Sequence, residues 1–362
     1  MSKIESLSIS GFKSIRELKE FPLSDMNVLI GANGAGKSNF MGLFRLLNAM
    51  AEQRLQLFVQ QQGGPDALLH FGRETTGWLR GEFRFEWGVY GFELVPTADN
   101  WLIFERENYR PKKDGVPETD WESIPVRGTY PESLIRGMRE FFPFDIGESI
   151  GSWRVWHFCD TGETARVKRI HPTNDNLILK TDGANLAQYL RMLRREHGAA
   201  YESIVSTIRL VAPFFGDFVH RPGEPEFVEL EWTQAGNPDT PFKAHVLSDG
   251  TLRFICLATL LLQPVELLPA TILIDEPELG LHPYAIAVLA DIFRQVSEAR
   301  QLIVSTQSVE LVNELEPEDI IVVDQEDGAS TFRRFEREEL AVWLEEYTLG
   351  EIWKQNILGG RP

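Results

Sequence analysis

Asn27-Val28-Leu29-Ile30-Gly31-Ala32-Asn33-Gly34-Ala35-Gly36-Lys37-Ser38 is the stretch on which the fold turns. Asn27 to Ile30 is a short apolar run ending in glycine, which predicts a buried strand. From Lys37 to about Phe58 the apolar residues Phe40, Leu43, Phe44, Leu47, Met50 and Leu57 recur at helical spacing, which predicts a single helix. Between the two, Gly31 to Ser38 matches G-x-x-x-x-G-K-[ST] in full, in the strand-to-helix context its mechanism needs. The glycines let successive backbone N–H groups from Asn33, Gly34, Ala35 and Gly36 curl around phosphates, and the helix aims its partially positive end at the same charge. Lys37 is placed to reach the β- and γ-phosphates of a nucleotide, and the Ser38 hydroxyl to ligate Mg²⁺.

Working outward, a phosphate-binding loop needs a second source of carboxylate. Ile272-Leu273-Ile274-Asp275-Glu276 supplies it at the end of a predicted buried strand. Asp275 would hold the Mg²⁺ shell, and Glu276 would face the attacking water as general base. Alone, an apolar run ending in Asp-Glu is only an acidic turn; beside the glycine-rich loop it reads as a catalytic element. Leu247-Ser248-Asp249-Gly250-Thr251 precedes another predicted helix. It can be a plain N-cap, or its hydroxyl and free N–H groups can meet an anion. Because the first loop already cradles its own phosphates, a second anion site points to a second subunit.

The rest of the chain frames these motifs. Leu7 and Ile9 predict a strand before the turn at Pro22. Period-two patterns at Phe83, Phe85 and Trp87, at Tyr90, Phe92 and Leu94, and at Leu102 and Phe104 predict an antiparallel meander between about 81 and 109. Five prolines among the charges of 111–150 mark loops or short helices. Helical spacing returns from about Ala184 to Val211, and Val228, Leu230 and Trp232 alternate as one strand. Beyond that, predicted helices at 251–262 and 284–299 alternate with strands at 271–274, 302–304 and 320–323. A hairpin follows through Asp327-Gly328, then a helix holding Trp343 and Tyr347. The expected class is α/β with a mixed, mainly parallel sheet, an antiparallel β meander and a central α+β insertion. The expected division is 1–110, 111–240 and 241–362, the first and last forming one nucleotide-binding unit.

Composition narrows the function. At 362 residues and 43% hydrophobic content the chain can bury a large core. Cys159 and Cys256 form neither a disulfide framework nor a metal-ligand pattern. The N-terminus lacks a charged-then-apolar leader and no apolar run is long enough to span a bilayer, so the expectation is a cytoplasmic protein without a membrane partner. A net charge of −18 excludes a globally basic nucleic-acid surface. Two local clusters stand against that background: Arg166, Lys168, Arg169 and His171, and Arg191, Arg194 and Arg195 on a predicted helix. Such clusters are usually solvated faces, with a polyanion site as the competing reading.

Phe12-Lys13-Ser14, the loop ending Lys37-Ser38-Asn39, Leu247 to Thr251, and Asp275-Glu276-Pro277-Glu278 followed by Gly280-Leu281-His282-Pro283 resemble the standalone RecF-like and SMC-like ATPases of the ABC superfamily. The resemblance covers roughly the first 60 residues and 243–325. It implies an ABC-type P-loop ATPase head that binds ATP and Mg²⁺, with residues from Asn33 to Asn39 on the nucleotide. It further implies that Ser248 and Gly250 meet ATP held by a partner copy in a homodimer, and that Glu278 to His282 cross the interface. The family often reads Ser-Thr-His-Ser after the next strand; here Ser305-Thr306-Gln307-Ser308 places an amide where a histidine would touch the γ-phosphate. Gln307 can donate a hydrogen bond but cannot carry charge or relay a proton, so slow hydrolysis is expected. Gln60, Gln61 and Gln62 read as exposed polar residues rather than a nucleotide-sensing loop.

Three functions follow from this resemblance: an ATP hydrolase of a DNA-repair or anti-phage defence system, an ATP-gated switch presenting a surface to an effector, and a transporter subunit. The Ser-Asp-Gly-Thr signature and the large insertion weigh against the third. The related overcoming-lysogenization-defect nucleases carry a catalytic domain of about 100 residues after the ATPase. After Ser308 too little sequence follows for one, so an effector or nuclease is expected as a protein partner, with nucleic acid a further candidate.

Overall fold

The computed structural model describes residues 3–113, 115–116, 124–126, 128–135, 146–223 and 225–361. The chain opens with the antiparallel hairpin β1 (Ile4–Phe12) and β2 (Ile15–Pro22), joined at Phe12↔Ile15. Only the first of these strands is legible in the alternation of residues. β3 (Met26–Ile30) then runs through the centre of the molecule, buried at every position, and delivers the chain into α1 (Lys37–Ala51).

The single helix expected over 37–58 is two. α1 stops at Ala51, Gln53 adopts φ 54°, and α2 (Leu55–Gln61) starts in a new direction. The carboxylate of Glu132 accepts from the N–H groups of Leu55 (2.7 Å) and Gln56 (3.1 Å), capping the second helix from a distant part of the chain. Apolar spacing along 37–58 carries no trace of that partner.

β4 (Leu79–Phe85), β5 (Gly88–Pro96) and β6 (Leu102–Pro111) form the expected meander, and β7 (Ile124–Val126) extends it. The resulting sheet has the order β2-β1-β4-β5-β6-β7 and is antiparallel throughout. Much of 111–145 lies outside the described residues.

α3 (Ile146–Gly151), β8 (Val155–Trp156) and β9 (His171–Pro172) follow, then α4 (Leu186–Glu196) and α5 (Gly198–Val211), which divide the predicted helical stretch at His197. After β10 (Phe215–Phe218), the strand expected through 228–232 is broken into β11 (Phe227–Val228) and β12 (Glu231–Gln234), with β13 (Asn237–Lys243) beyond. β11 pairs with β9, whereas β12 pairs with β10 and β13. The Leu230 carbonyl accepts from Ala244 N–H (3.0 Å), which carries the β12–β13 pairing one residue further, up to the break.

The last third alternates as expected: α6 (Asp249–Leu261), β14 (Thr271–Asp275), α7 (Pro283–Ser297), β15 (Gln301–Ser305), α8 (Val309–Asn313), then the hairpin β16 (Ile320–Glu326) and β17 (Ala329–Arg334). One helix containing Trp343 and Tyr347 was expected. Instead α9 (Arg337–Leu344) holds Trp343 and ends before Tyr347, and Thr348 caps a separate α10 (Leu349–Lys354) through a capping box with Glu351.

The central sheet has the order β17-β16-β3-β15-β14-β8, parallel except for β17. Its strands are apolar on both faces because both faces are covered. Val28, Ile30, Ile272, Ile274, Leu302, Val304, Ile320 and Val322 enter a core shared with α4 to α7 and α10. The alternate residues Leu29, Leu273, Ile303, Ile321 and Val323 enter a second core with α1 and the meander. Among the described residues no helix is long and apolar enough to cross a membrane.

Trp353 is fully buried in the helical core, and its Nε1–H donates to the Gly360 carbonyl (2.6 Å), drawing the tail against Gly31. Trp353→Ala is expected to lower unfolding free energy by about 3–5 kcal/mol, the usual cost of an emptied aromatic site, read from urea unfolding followed by circular dichroism.

Candidate functional site

β3, β15 and β14 are neighbours and parallel, so the segments that follow them emerge side by side at one edge of the sheet. β3 leads into the glycine-rich loop, β14 ends at Asp275, and β15 leads to Gln307. Three sequence-distant motifs therefore meet through strand order alone.

The loop is held from outside its own motif. Gly36 has φ 122°, and a Cβ there would lie 2.0 Å from Ser330 Oγ; a Cβ on Gly31 would lie 2.1 Å from the Val323 carbonyl. The β16–β17 hairpin thus presses on both ends of the loop and only hydrogen fits. Ser330 Oγ lies 2.5 Å from the Ala35 carbonyl and 2.6 Å from Ser14 Oγ, which also accepts from Asn39 Nδ2 (2.7 Å). Asn39, expected on the nucleotide, here braces the loop together with Ser14. No local pattern in the sequence marks Ser330. Asn33, Gly34 and Ser38 are exposed at the mouth.

Lys37 is buried, and its ammonium donates to the carbonyls of Gly31 and Ala32 (3.1 Å). Burial holds its pKa below the usual lysine value, opposed by the negative charges of Glu276, Asp275 and Glu278. Those three carboxylates are the acidic wall of the site. The Asp275 side chain lies 3.8 Å from the Arg45 guanidinium, and its main-chain carbonyl accepts from His157 Nδ1 (2.9 Å).

Glu276 has φ 48°, unusual for a residue with a Cβ, and its N–H donates to the Ser305 carbonyl (2.8 Å). Its carboxylate accepts from Gln307 Nε2 at 2.7 Å. The Gln307 backbone N–H in turn donates to Glu278 Oε1 (3.1 Å). Glu278 is buried, its second oxygen has no hydrogen-bond partner among the described residues, and burial raises its pKa. The sequence reading assigned Glu278 to an interface loop; the fold also makes it the anchor of Gln307.

Ser248 and Gly250 lie elsewhere on the surface. Ser248 Oγ caps α6 by accepting from Thr251 N–H (3.2 Å). Gly250 packs on the Gly280 backbone, where a Cβ would come within 2.2 Å of the Gly280 carbonyl. Arg253, one turn along α6, clamps this junction by donating to the carbonyls of Leu279 (2.6 Å), Cys159 (2.7 Å) and Phe158 (2.9 Å). Val246, Leu279 and Tyr284 expose apolar surface around it. Gln60, Gln61 and Gln62 are exposed, and Gln62 accepts from Lys13 Nζ (3.0 Å).

Ser38 and Asp275 offer only oxygen, which suits a hard cation such as Mg²⁺ that keeps water and phosphate among its ligands. Among the described residues no cluster of three His, Cys, Asp or Glu side chains could hold a metal by itself. The donor set therefore fits a cation that arrives with phosphate oxygens.

The sequence matches the family described as "AAA domain, putative AbiEii toxin, Type IV TA system" over residues 26–94 and 166–313. No curated protein matches it. Among solved structures the fold is similar to the Smc head bound to the C-winged helix domain of ScpA, with TM-score 0.60 at 16% identity, covering 94% of this chain and 99% of that one. It is also similar to the Smc head domain with an extended coiled coil bound to the C-terminal domain of ScpA derived from Pyrococcus furiosus, with TM-score 0.61 at 15% identity, covering 96% and 99%. The architecture is that of an SMC-like, ABC-type P-loop head.

Glu278 makes the site pH-sensitive in a direction that can be worked out. A carboxyl with its folded pKa above its unfolded value binds its proton more tightly in the native state. Its stabilising contribution is present below the ordinary value of 4.5 and is lost as pH rises through the folded pKa. Glu278→Gln removes the charge while keeping the acceptor for Gln307 N–H. The expected outcome is a higher Tm at neutral pH and a flatter Tm profile above pH 4.5, measured by calorimetry against the parent protein.

Proposed function

The chain belongs to this AAA-domain family, and we propose that it binds ATP with Mg²⁺ at the 31–38 loop and hydrolyses it at a composite site in an ATP-sandwiched homodimer. The observation that carries the reading is the convergence of Lys37, Asp275, Glu276 and Gln307 at one sheet edge, where the negative charges of Glu276 and Asp275 act on the Lys37 ammonium. The N–H groups of Asn33 to Gly36 and the Lys37 ammonium hold the β- and γ-phosphates. Ser38 and Asp275 would hold Mg²⁺, which supplies positive charge to neutralise the phosphate oxygens.

Water attacks the γ-phosphorus, the bond to the β,γ-bridging oxygen breaks, and ADP leaves with that electron pair. Glu276 positions the water and accepts its proton. Ser248 and Gly250 of one copy close over ATP bound by the other. The exposure of Ser248 and the exposed apolar side chains of Val246, Leu279 and Tyr284 support that arrangement. The family description, a putative toxin of a type IV toxin–antitoxin system, supports anti-phage defence over DNA repair, with an effector protein as partner.

The Gln307–Glu276 hydrogen bond favours a second reading, an ATP-gated switch with slow turnover. An amide donor engages one carboxylate oxygen of Glu276, and it brings no charge of its own to the γ-phosphate. In that reading closure of the dimer is the signal and hydrolysis its timer.

Two outcomes test these roles. Glu276→Gln should bind ATP, lose about 100-fold or more in turnover as expected for a missing general base, and accumulate dimer in ATP and Mg²⁺ by light scattering. Turnover at the parent rate would remove Glu276 from the chemistry.

Ser248→Arg should bind ATP yet fail to hydrolyse it, and Lys37→Ala should fail to bind. Mixing the two inactive proteins should restore activity toward about a quarter of the parent rate, since half of randomly paired dimers are mixed and each mixed dimer has one intact site of two. ATP-dependent dimerisation of each variant is measured alongside. Full activity of Ser248→Arg as a dilute monomer would reduce Ser248 to a helix cap.

A further inference from the structure

A cleft of about 970 Å³ lies between the outer face of α4 and the 220–227 segment. Arg191, Arg194 and Arg195, at i, i+3 and i+4 on that helix, line one side, and Arg221 and His220 the other. In a protein of net charge −18, Glu226 is the one carboxylate lining this cleft among the described residues. The wall is built rather than incidental. Arg191 donates to the carbonyls of Arg221 (2.9 Å) and Gly223, pinning the opposite rim, and Arg221 is oriented by Glu231 (2.9 Å). Arg194 lies 5.8 Å over the Tyr201 ring. Among the described residues no carboxylate pairs with Arg191 or Arg194, so their charges face the cleft uncompensated by an ion pair.

The ring of His220 lies 2.9 Å from the Tyr201 hydroxyl, and its pKa is pushed down to about 4, first by burial and next by Arg194, with Asp217 opposing and Arg191 adding to the shift. The imidazole is thus neutral at physiological pH. The cleft continues past Asn174 and Asn176 into a second depression of about 400 Å³ lined by Arg154, by Lys180 paired with Asp175, and by Arg166 paired with Asp182. The length exceeds what one phosphate needs. Phe227 projects a half-exposed ring at the rim. Arginines along a groove with an exposed aromatic ring are the parts that hold successive phosphates and stack a base.

We propose that this cleft binds a nucleotide phosphate presented by single-stranded nucleic acid, with Arg194 on the backbone and Phe227 against a base. The proposal rests on the cleft alone and stands apart from the ATP reading of the 31–38 loop. It turns one of the two basic clusters visible in the sequence into a site.

The test uses the full chain carrying Lys37→Ala, so that the phosphate loop does not contribute, and a fluorescent 12-nucleotide oligothymidylate followed by anisotropy. Arg194→Glu should weaken binding by about tenfold or more and make the salt dependence shallower, because fewer counterions are released. Phe227→Ala should weaken it by about fivefold or more, as loss of a stacked base does, with the salt slope kept. Unchanged affinity in both variants would overturn the site. Displacement of the strand by AMP at equal nucleotide concentration would reassign the ligand to a free nucleotide, and displacement by polyglutamate of equal charge would mark an acidic-peptide surface; either overturns the strand assignment. Equal affinity for a blunt duplex, whose bases are stacked inside and closed to Phe227, does the same. ATP affinity of Arg194→Glu in the otherwise unchanged chain is measured in parallel and is expected to match the parent, which keeps a failure here distinct from a failure at the phosphate loop.

Discussion

Burial of β3 on both faces is the constraint from which the rest follows. A strand paired on both sides and covered above and below cannot expose a polar side, so Val28 and Ile30 feed one core while Leu29 feeds the other. With the strand fixed in place by parallel pairing to β15 and β16, the loop that leaves it has a defined start. The β16–β17 hairpin then closes over that loop at Gly31 and Gly36, leaving no room for a methyl group. Precision at the phosphate loop is thus a product of packing at positions some 300 residues away in sequence, not of the loop's own residues.

The same sheet edge gathers negative charge around Lys37, and the fold handles that charge by unequal means. Glu276 is held by an amide, and Asp275 lies near Arg45. Glu278 is buried with one oxygen unpaired. A buried carboxylate with an unmet lone pair costs stability. Its retention is understandable if its work is to hold the Gln307 backbone, and through it the amide on Glu276. Gln307 thus joins two acidic residues of the site, Glu276 through its side-chain amide and Glu278 through its backbone N–H.

Charge is also distributed unevenly over the surface. Most basic residues outside the site are paired with carboxylates, as at Arg166–Asp182 and Arg221–Glu231, or spend their donors on carbonyls, as Arg253 does. Arg191 likewise donates to the carbonyls of Arg221 and Gly223, and among the described residues neither it nor Arg194 pairs with a carboxylate where the two line one cleft. The two proposed sites, one at the strand ends and one over α4, would therefore work by different physics: backbone N–H groups and a helix terminus in the first, guanidinium charge in the second.

By itself the sequence determined what is local. The strand, glycine loop and helix from Asn27 to Phe44, the Asp275-Glu276 strand end, the meander and the α/β alternation after 249 all follow from periodicity and from residues whose backbone chemistry allows few alternatives. Tertiary structure decided what depends on partners remote in the chain. The start of α2 is capped by Glu132, the split at 229–230 follows from β11 pairing with β9 while β12 pairs with β10 and β13, and the seat of the phosphate loop needs Ser330 and Val323. Whether Arg191 and Arg194 are a solvated helix face or the wall of a cleft depends on the 220–227 segment folding opposite them. Periodicity reports which face of an element is buried, but it holds no information on which distant group arrives to satisfy a free N–H, fill the space above a glycine, or leave a charge unpaired.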